Sequence, residues 1–111
     1  ASATNTINLP NFSAYGGTLT IAAKAAGSTA AATFRVSVSA VRGNGAGTVV
    51  LYEGADTGIL PAASNGTGSA WRLDIAADTT NGGIAVTVTG AAATTINWSA
   101  RFSNAEAVTA S

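Results

Sequence analysis

Three runs in the last third of the chain alternate apolar and polar residues at every step. Trp71, Leu73 and Ile75 alternate with Arg72 and Asp74. Ile84, Val86 and Val88 alternate with Ala85, Thr87 and Thr89. Ile96, Trp98, Ala100 and Phe102 alternate with Asn97, Ser99 and Arg101. Side chains on a strand switch faces at each residue, so each run offers one face to a core and the other to water or a partner. Turn formers separate the runs: residues 78–83 read DTTNGG, and Gly90 precedes three alanines. The pattern predicts an up-down-up antiparallel meander with both tryptophans facing inward.

The earlier chain carries the same signal. Residues 1–5 read as a flexible start and 6–10 as a short edge strand stopped by Pro10. Residues 11–17 read as a loop bearing Phe12 and Tyr15. In 18–24, Leu19, Ile21 and Ala23 face inward. In 32–42, Phe34, Val36, Val38 and Ala40 do so, with Arg35, Ser37 and Ser39 outward. The glycine-rich residues 43–47 turn this strand into a second one over 48–53, a hairpin. Residues 54–68 read as mostly loop, with a short strand at 58–60. Residues 1–4 and 109–111 lack alternation and are expected to be mobile unless another chain orders them. The sum is seven or eight strands, no helix, and turn signals about every 8–12 residues. The expected fold is all-β: one domain, an antiparallel β-sandwich with jelly-roll-like pairing. Residues 1–16 form an N-terminal arm and edge strand, and 17–111 form the sandwich.

Composition changes this picture in one respect. Of 111 residues 47% are hydrophobic, much of that alanine, so the core should be thin. Charged residues make up 9%, against about 25% in ordinary domains. The formal net charge is zero. Little opposes the approach of like chains, which favours association. Five Lys and Arg spread over the whole length argue against a nucleic-acid partner. No apolar stretch approaches the roughly 20 residues of a membrane helix.

Candidate chemistry is sparse. Without His or Cys the usual nucleophilic triads cannot be built. The acids are Glu53, Asp56, Asp74, Asp78 and Glu106. Asp74 and Asp78 are close in sequence, but one belongs to a strand face and the other to a turn, so they make a poor catalytic pair. Asp56, Asp78 and Asn81 could surround calcium, yet they lack a fixed-spacing loop and serve equally as turn formers. The glycines at 43–47 lack the Gly-Lys-Ser/Thr ending of a phosphate loop and lead into a strand. No enzyme activity, cofactor or metal is expected. The candidate contact residues are Arg35, Arg72 and Arg101 on outward strand positions, with Asp74 beside Arg72, and the aromatics Phe12, Tyr15 and Tyr52. The arginines read either as solvated edge residues or as a face toward another subunit. Phe12 and Tyr15 read either as caps on the sandwich or as stacking surfaces.

Residues 17–103 resemble a small β-domain carried by tail-fibre, tail-associated and capsid-fibre or decoration proteins of bacteriophages. The motifs are W-x-L-x-I-x-A-D-T-T-N-G over 71–82, I-x-V-T-V-T-G over 84–90 and T-I-N-W-x-A-R over 95–101. This chain departs from that pattern at Ala91, Ala92 and Ala93, where the family has a Gly-Lys or Gly-Glu pair. The resemblance implies a non-enzymatic virion structural protein, a capsid decoration or a fibre or tail domain. It implies location in the virion, self-association as a trimer and contact with other virion proteins. The alternative it leaves is a module binding a host-surface glycan or receptor.

Overall fold

The alternating runs become strands of two antiparallel sheets. The computed structural model describes residues 2–90 and 95–108, with side chains over 6–90 and 95–103. In chain order the strands are β1 (Ser2–Asn8), β2 (Ser13–Ala25), β3 (Ala31–Arg42), β4 (Val50–Glu53), β5 (Asp56–Ile59), β6 (Ala63–Asn65), β7 (Arg72–Asp78), β8 (Gly83–Thr89) and β9 (Ile96–Val108). The four-stranded sheet runs β1-β8-β7-β5. The five-stranded sheet runs β4-β3-β2-β9, with β6 also paired to β3. Two short 3-10 turns, Ala46–Thr48 and Gly66–Ala70, complete the regular structure, and no α-helix occurs among the described residues. The result is the expected antiparallel β-sandwich. Its first strands pair with its last, β1 on β8 and β2 on β9.

The inward positions meet between the sheets. From the five-stranded sheet come Leu19, Ile21, Ala23, Phe34, Val38 and Ala40. From the other come Trp71, Leu73, Ile75, Ile84, Val86 and Val88. All are buried, each on the face its alternation assigns. Strands of 12 and 13 residues are long for a small domain, where about 5–6 is usual. They give the molecule an elongated form, 49 × 23 × 19 Å.

Several expectations are corrected. The last three strands do not form a meander. β7 and β8 pair as a hairpin, but β9 joins the other sheet along β2. The free edge of β8 is already taken by β1 over seven residue pairs. β9 instead matches all of β2, from Ser13↔Val108 to Ala25↔Ile96. β9 is therefore an edge strand, and this sets the depth of Trp98. Its ring is on the inward face, opposite buried Ala23, but only half-buried. Ala100, inward on the same strand, is exposed for the same reason.

The N-terminal segment is also more ordered than expected. Ser2, Ala3 and Thr4 belong to β1 and pair with Thr89, Val88 and Thr87 of the same chain. Ala1 and the expected tail at 109–111 lie outside the described residues. The loop expected at 11–17 ends early, because β2 starts at Ser13 and takes in Tyr15. The stretch 54–68 holds two short strands, β5 and β6, which edge the two sheets and bring the number of strands among the described residues to nine. Both are too short, and too exposed on both faces, to show alternation.

The two tryptophans should therefore differ. Trp71→Ala removes a fully buried ring and should cost about 3–5 kcal/mol. Trp98→Ala should cost clearly less, and Ser99→Ala, facing out, almost nothing. Urea denaturation measures all three, and equal losses for the two tryptophans would contradict this placement of β9.

Candidate functional site

Strand register gathers residues that are far apart in sequence. Arg35 on β3 pairs with Thr20 on β2, and Thr20 pairs with Arg101 on β9. The two arginines thus flank Thr20 in one row on the outer face of the five-stranded sheet. Strands lie about 4.8 Å apart, so the two side chains leave the sheet roughly 10 Å apart. Both are exposed, and neither makes a hydrogen bond or ion pair to another described residue. Lys24 shares the face two rows away and donates Nζ to the Ala25 carbonyl at 3.2 Å. The intervening outer positions are small: Thr18, Ala22, Thr33, Ser37, Ser99 and Ser103. Among the residues with described side chains, the one carboxylate on this face, Glu53, lies four residues along and accepts the Ser39 hydroxyl at 2.9 Å. Three of the five basic residues, dispersed in the sequence, are therefore neighbours in space.

Arg72 and Asp74 are on the other sheet. Arg72 Nη1 donates to the carbonyls of Ser69 and Trp71 at 2.9 and 2.8 Å, closing the turn that leads into β7. Asp74 Oδ1 accepts the Gly58 backbone N–H at 2.8 Å and ties β5 to β7. Each is outward, as expected, but each is anchored locally.

The three aromatics do not converge. Tyr15 faces inward and is half-buried, its ring stacked on Phe102 with centroids 6.4 Å apart and planes 17° apart. It is a lid on one end of the core. Phe12 is at the turn between β1 and β2, with φ 54 and its N–H donated to the Gly43 carbonyl. Tyr52 is the extra residue in a bulge between the pairs Ser39↔Glu53 and Ala40↔Leu51, and is 65% exposed. A shallow groove between β3 and β6, lined by Ala31, Ala32, Thr33, Ala63, Ser64 and Asn65, holds about 210 Å³. That is below the ~300 Å³ of small-molecule sites, and no titratable group lines it.

Asp78 organises the β7–β8 turn. Its carboxylate accepts the backbone N–H groups of Asn81 and Thr80, the Asn81 amide and the Thr6 hydroxyl. These bonds favour the charged form, led by those from Asn81, and hold its pKa at about 2. Asp56 accepts the backbone N–H of its own neighbour, Thr57, at 2.8 Å. No group of three His, Cys, Asp or Glu that could hold a metal ion occurs among the described residues.

One residue carries more than its place in the sequence suggested. Arg42 Nη1 donates to the carbonyls of Leu9 and Gly82, at 2.5 and 3.0 Å. It stitches the end of β3 to the β1–β2 connection and to the β7–β8 turn, joining the two sheets. Gly82 has φ 78, and a Cβ there would strike the Arg42 guanidinium. Alternation along β3 places Arg42 at the end of the inward series Phe34, Val36, Val38, Ala40, which was the one available signal.

No family model, curated protein or solved structure matches the chain.

Two outcomes follow from these contacts. Asp78 has a folded pKa depressed below its ordinary 3.8, so its contribution to stability is complete above that value and lost as pH falls toward 2. Thermal denaturation across this range should show a fall in stability that Asp78→Ala flattens; an unchanged acid profile would contradict the assignment. Arg42→Met should cost about 1–3 kcal/mol in urea denaturation, because two carbonyls lose a charged donor. A cost near zero would remove Arg42 as the link between sheets.

Proposed function

We propose that this chain is a non-enzymatic structural protein of a bacteriophage virion, serving as a capsid-decoration protein or a fibre or tail domain. It works as a homo-oligomer in contact with other virion proteins. The observation that carries this reading is the edge of β9. Among the described residues its thirteen positions are paired on one side only, with no lysine, proline or bulge to block a neighbour. The inward residues of that edge, Ile96, Trp98 and Phe102, are only partly covered by the chain itself. Scarce charge and outer faces of Ser, Thr and Ala suit close packing against like chains. The phage identity and the three-fold number come from the motifs over 71–82, 84–90 and 95–101.

A second reading, a module binding host-surface glycan, is favoured by one feature, the exposed Tyr52 on its bulge. Tyr15, packed on Phe102, is not available for such a role.

Light scattering on a size-exclusion column at micromolar concentration, with antibody labelling of purified virions, tests the proposal. A trimer mass and label on capsid or tail are expected. A clean monomer that also fails to bind capsids or tails lacking it would overturn it. A glycan-array hit lost on Tyr52→Ala would favour the second reading.

A further inference from the structure

The formal charge of zero conceals a division between the two outer faces. Among the residues with described side chains, the five-stranded face presents Lys24, Arg35 and Arg101 against one carboxylate, Glu53. The four-stranded face presents Asp74 and Asp78 on β7 against one cation, Arg72, whose guanidinium is turned onto backbone carbonyls. Asp56, on the edge strand β5, pairs with inward Ile75 and does not belong to this face. The hydrogen bonds to Asp74 and Asp78 fix both carboxylates in place without neutralising them. The other outward positions on this sheet are also small: Ala76, Ala85, Thr87 and Thr89.

From this division we infer that the outer face of the five-stranded sheet docks on the outer face of the four-stranded sheet of a second copy of this chain. The inference rests on the homo-oligomeric reading above and gives it a second contact, between sheet faces, beside the open edge of β9. Spacing supports it. Arg35 and Arg101 lie across the strands, roughly 10 Å apart. Asp74 and Asp78 lie along one strand, four residues or roughly 13 Å apart. When two sheets cross near a right angle, one of the two preferred ways for sheets to pack, these lines run parallel and each guanidinium meets a carboxylate. Small side chains on both faces allow the sheets to approach. The contact uses different surfaces on the two partners, so it is head-to-tail, the type that closes into rings such as a trimer. A crossed overlap of 23 × 23 Å projects on the order of 500 Å² per partner, at the lower end for a specific interface. Each contact is therefore weak and salt-sensitive, and ring closure adds to it by giving every copy two.

The test is charge reversal with complementation, read by analytical ultracentrifugation of the full chain. R35E/R101E should raise the dissociation constant of self-association at least about tenfold, because like charges then face each other. A76K/T89K, which makes the opposite face basic at two exposed positions without touching Asp74 or Asp78, should do the same. Mixing the two variants should restore association between unlike variants, seen first as a mixed dimer, which loss of folding in either could not produce. Raising salt should weaken the wild-type contact. R35E/R101E associating as the wild type does would overturn this interface and leave oligomerisation standing. A wild-type chain that stays monomeric would overturn both. The wild type remaining monomeric yet binding a sulfated polysaccharide through Arg35 and Arg101 would assign the face to an acidic ligand and overturn self-docking.

Discussion

Everything in this fold depends on the burial of one face of β2. That strand is the axis of the five-stranded sheet, paired along its length with β3 on one side and β9 on the other. Its inward series, Leu19, Ile21, Ala23 and Ala25, is buried against the opposite sheet. Because side chains alternate strictly, a slip of one residue would turn all four outward and set Thr20, Ala22 and Lys24 against the core. The hydrophobic contrast between the two faces thus fixes register in three strands at once. Register in turn places Arg35, Thr20 and Arg101 in one row, so the surface chemistry is a consequence of the core.

The ends of the sandwich need different means. The core is thin, and at the Arg42 end it gives way to backbone carbonyls of the connections. Arg42 meets the Leu9 and Gly82 carbonyls there, and Asp78 gathers the Thr80 and Asn81 N–H groups in the adjacent turn. A basic and an acidic side chain thus satisfy backbone groups that neither sheet can pair. Arg42 is devoted wholly to this purpose, whereas Asp78 serves the turn and still lies on an outer face. The division between a basic and an acidic face then follows from which strand each remaining charge occupies.

Much of the fold was legible because it depends on alternation. Trp71, Leu73 and Ile75, with their partners Ile84, Val86 and Val88, sit where period-two reasoning puts them, and the β3–β4 and β7–β8 hairpins follow from their turn residues. Partner choice was not legible. Alternation assigns a face to β9 but not a neighbour, so its crossing to β2 and the shallow burial of Trp98 were missed. Short strands such as β5 and β6 carry too few residues for a period to show. In the candidate surface, the outward direction of Arg35, Arg72 and Arg101 was readable from each strand alone. That Arg35 and Arg101 share a row while Arg72 is on the opposite sheet required the register. The role of Arg42 needed the positions of Leu9 and Gly82, more than thirty residues away on either side.

The claim that inner faces hold the fold while outer faces stay free for contact has a direct measurement. A lysine scan along β2, from Thr18 to Ala23, with urea denaturation of each variant, reports both faces of one strand. The account predicts a two-residue rhythm: Leu19→Lys, Ile21→Lys and Ala23→Lys unfold the protein or nearly so, while Thr18→Lys, Thr20→Lys and Ala22→Lys change stability by no more than about 1 kcal/mol. A flat profile, or one with the rhythm reversed, would contradict it.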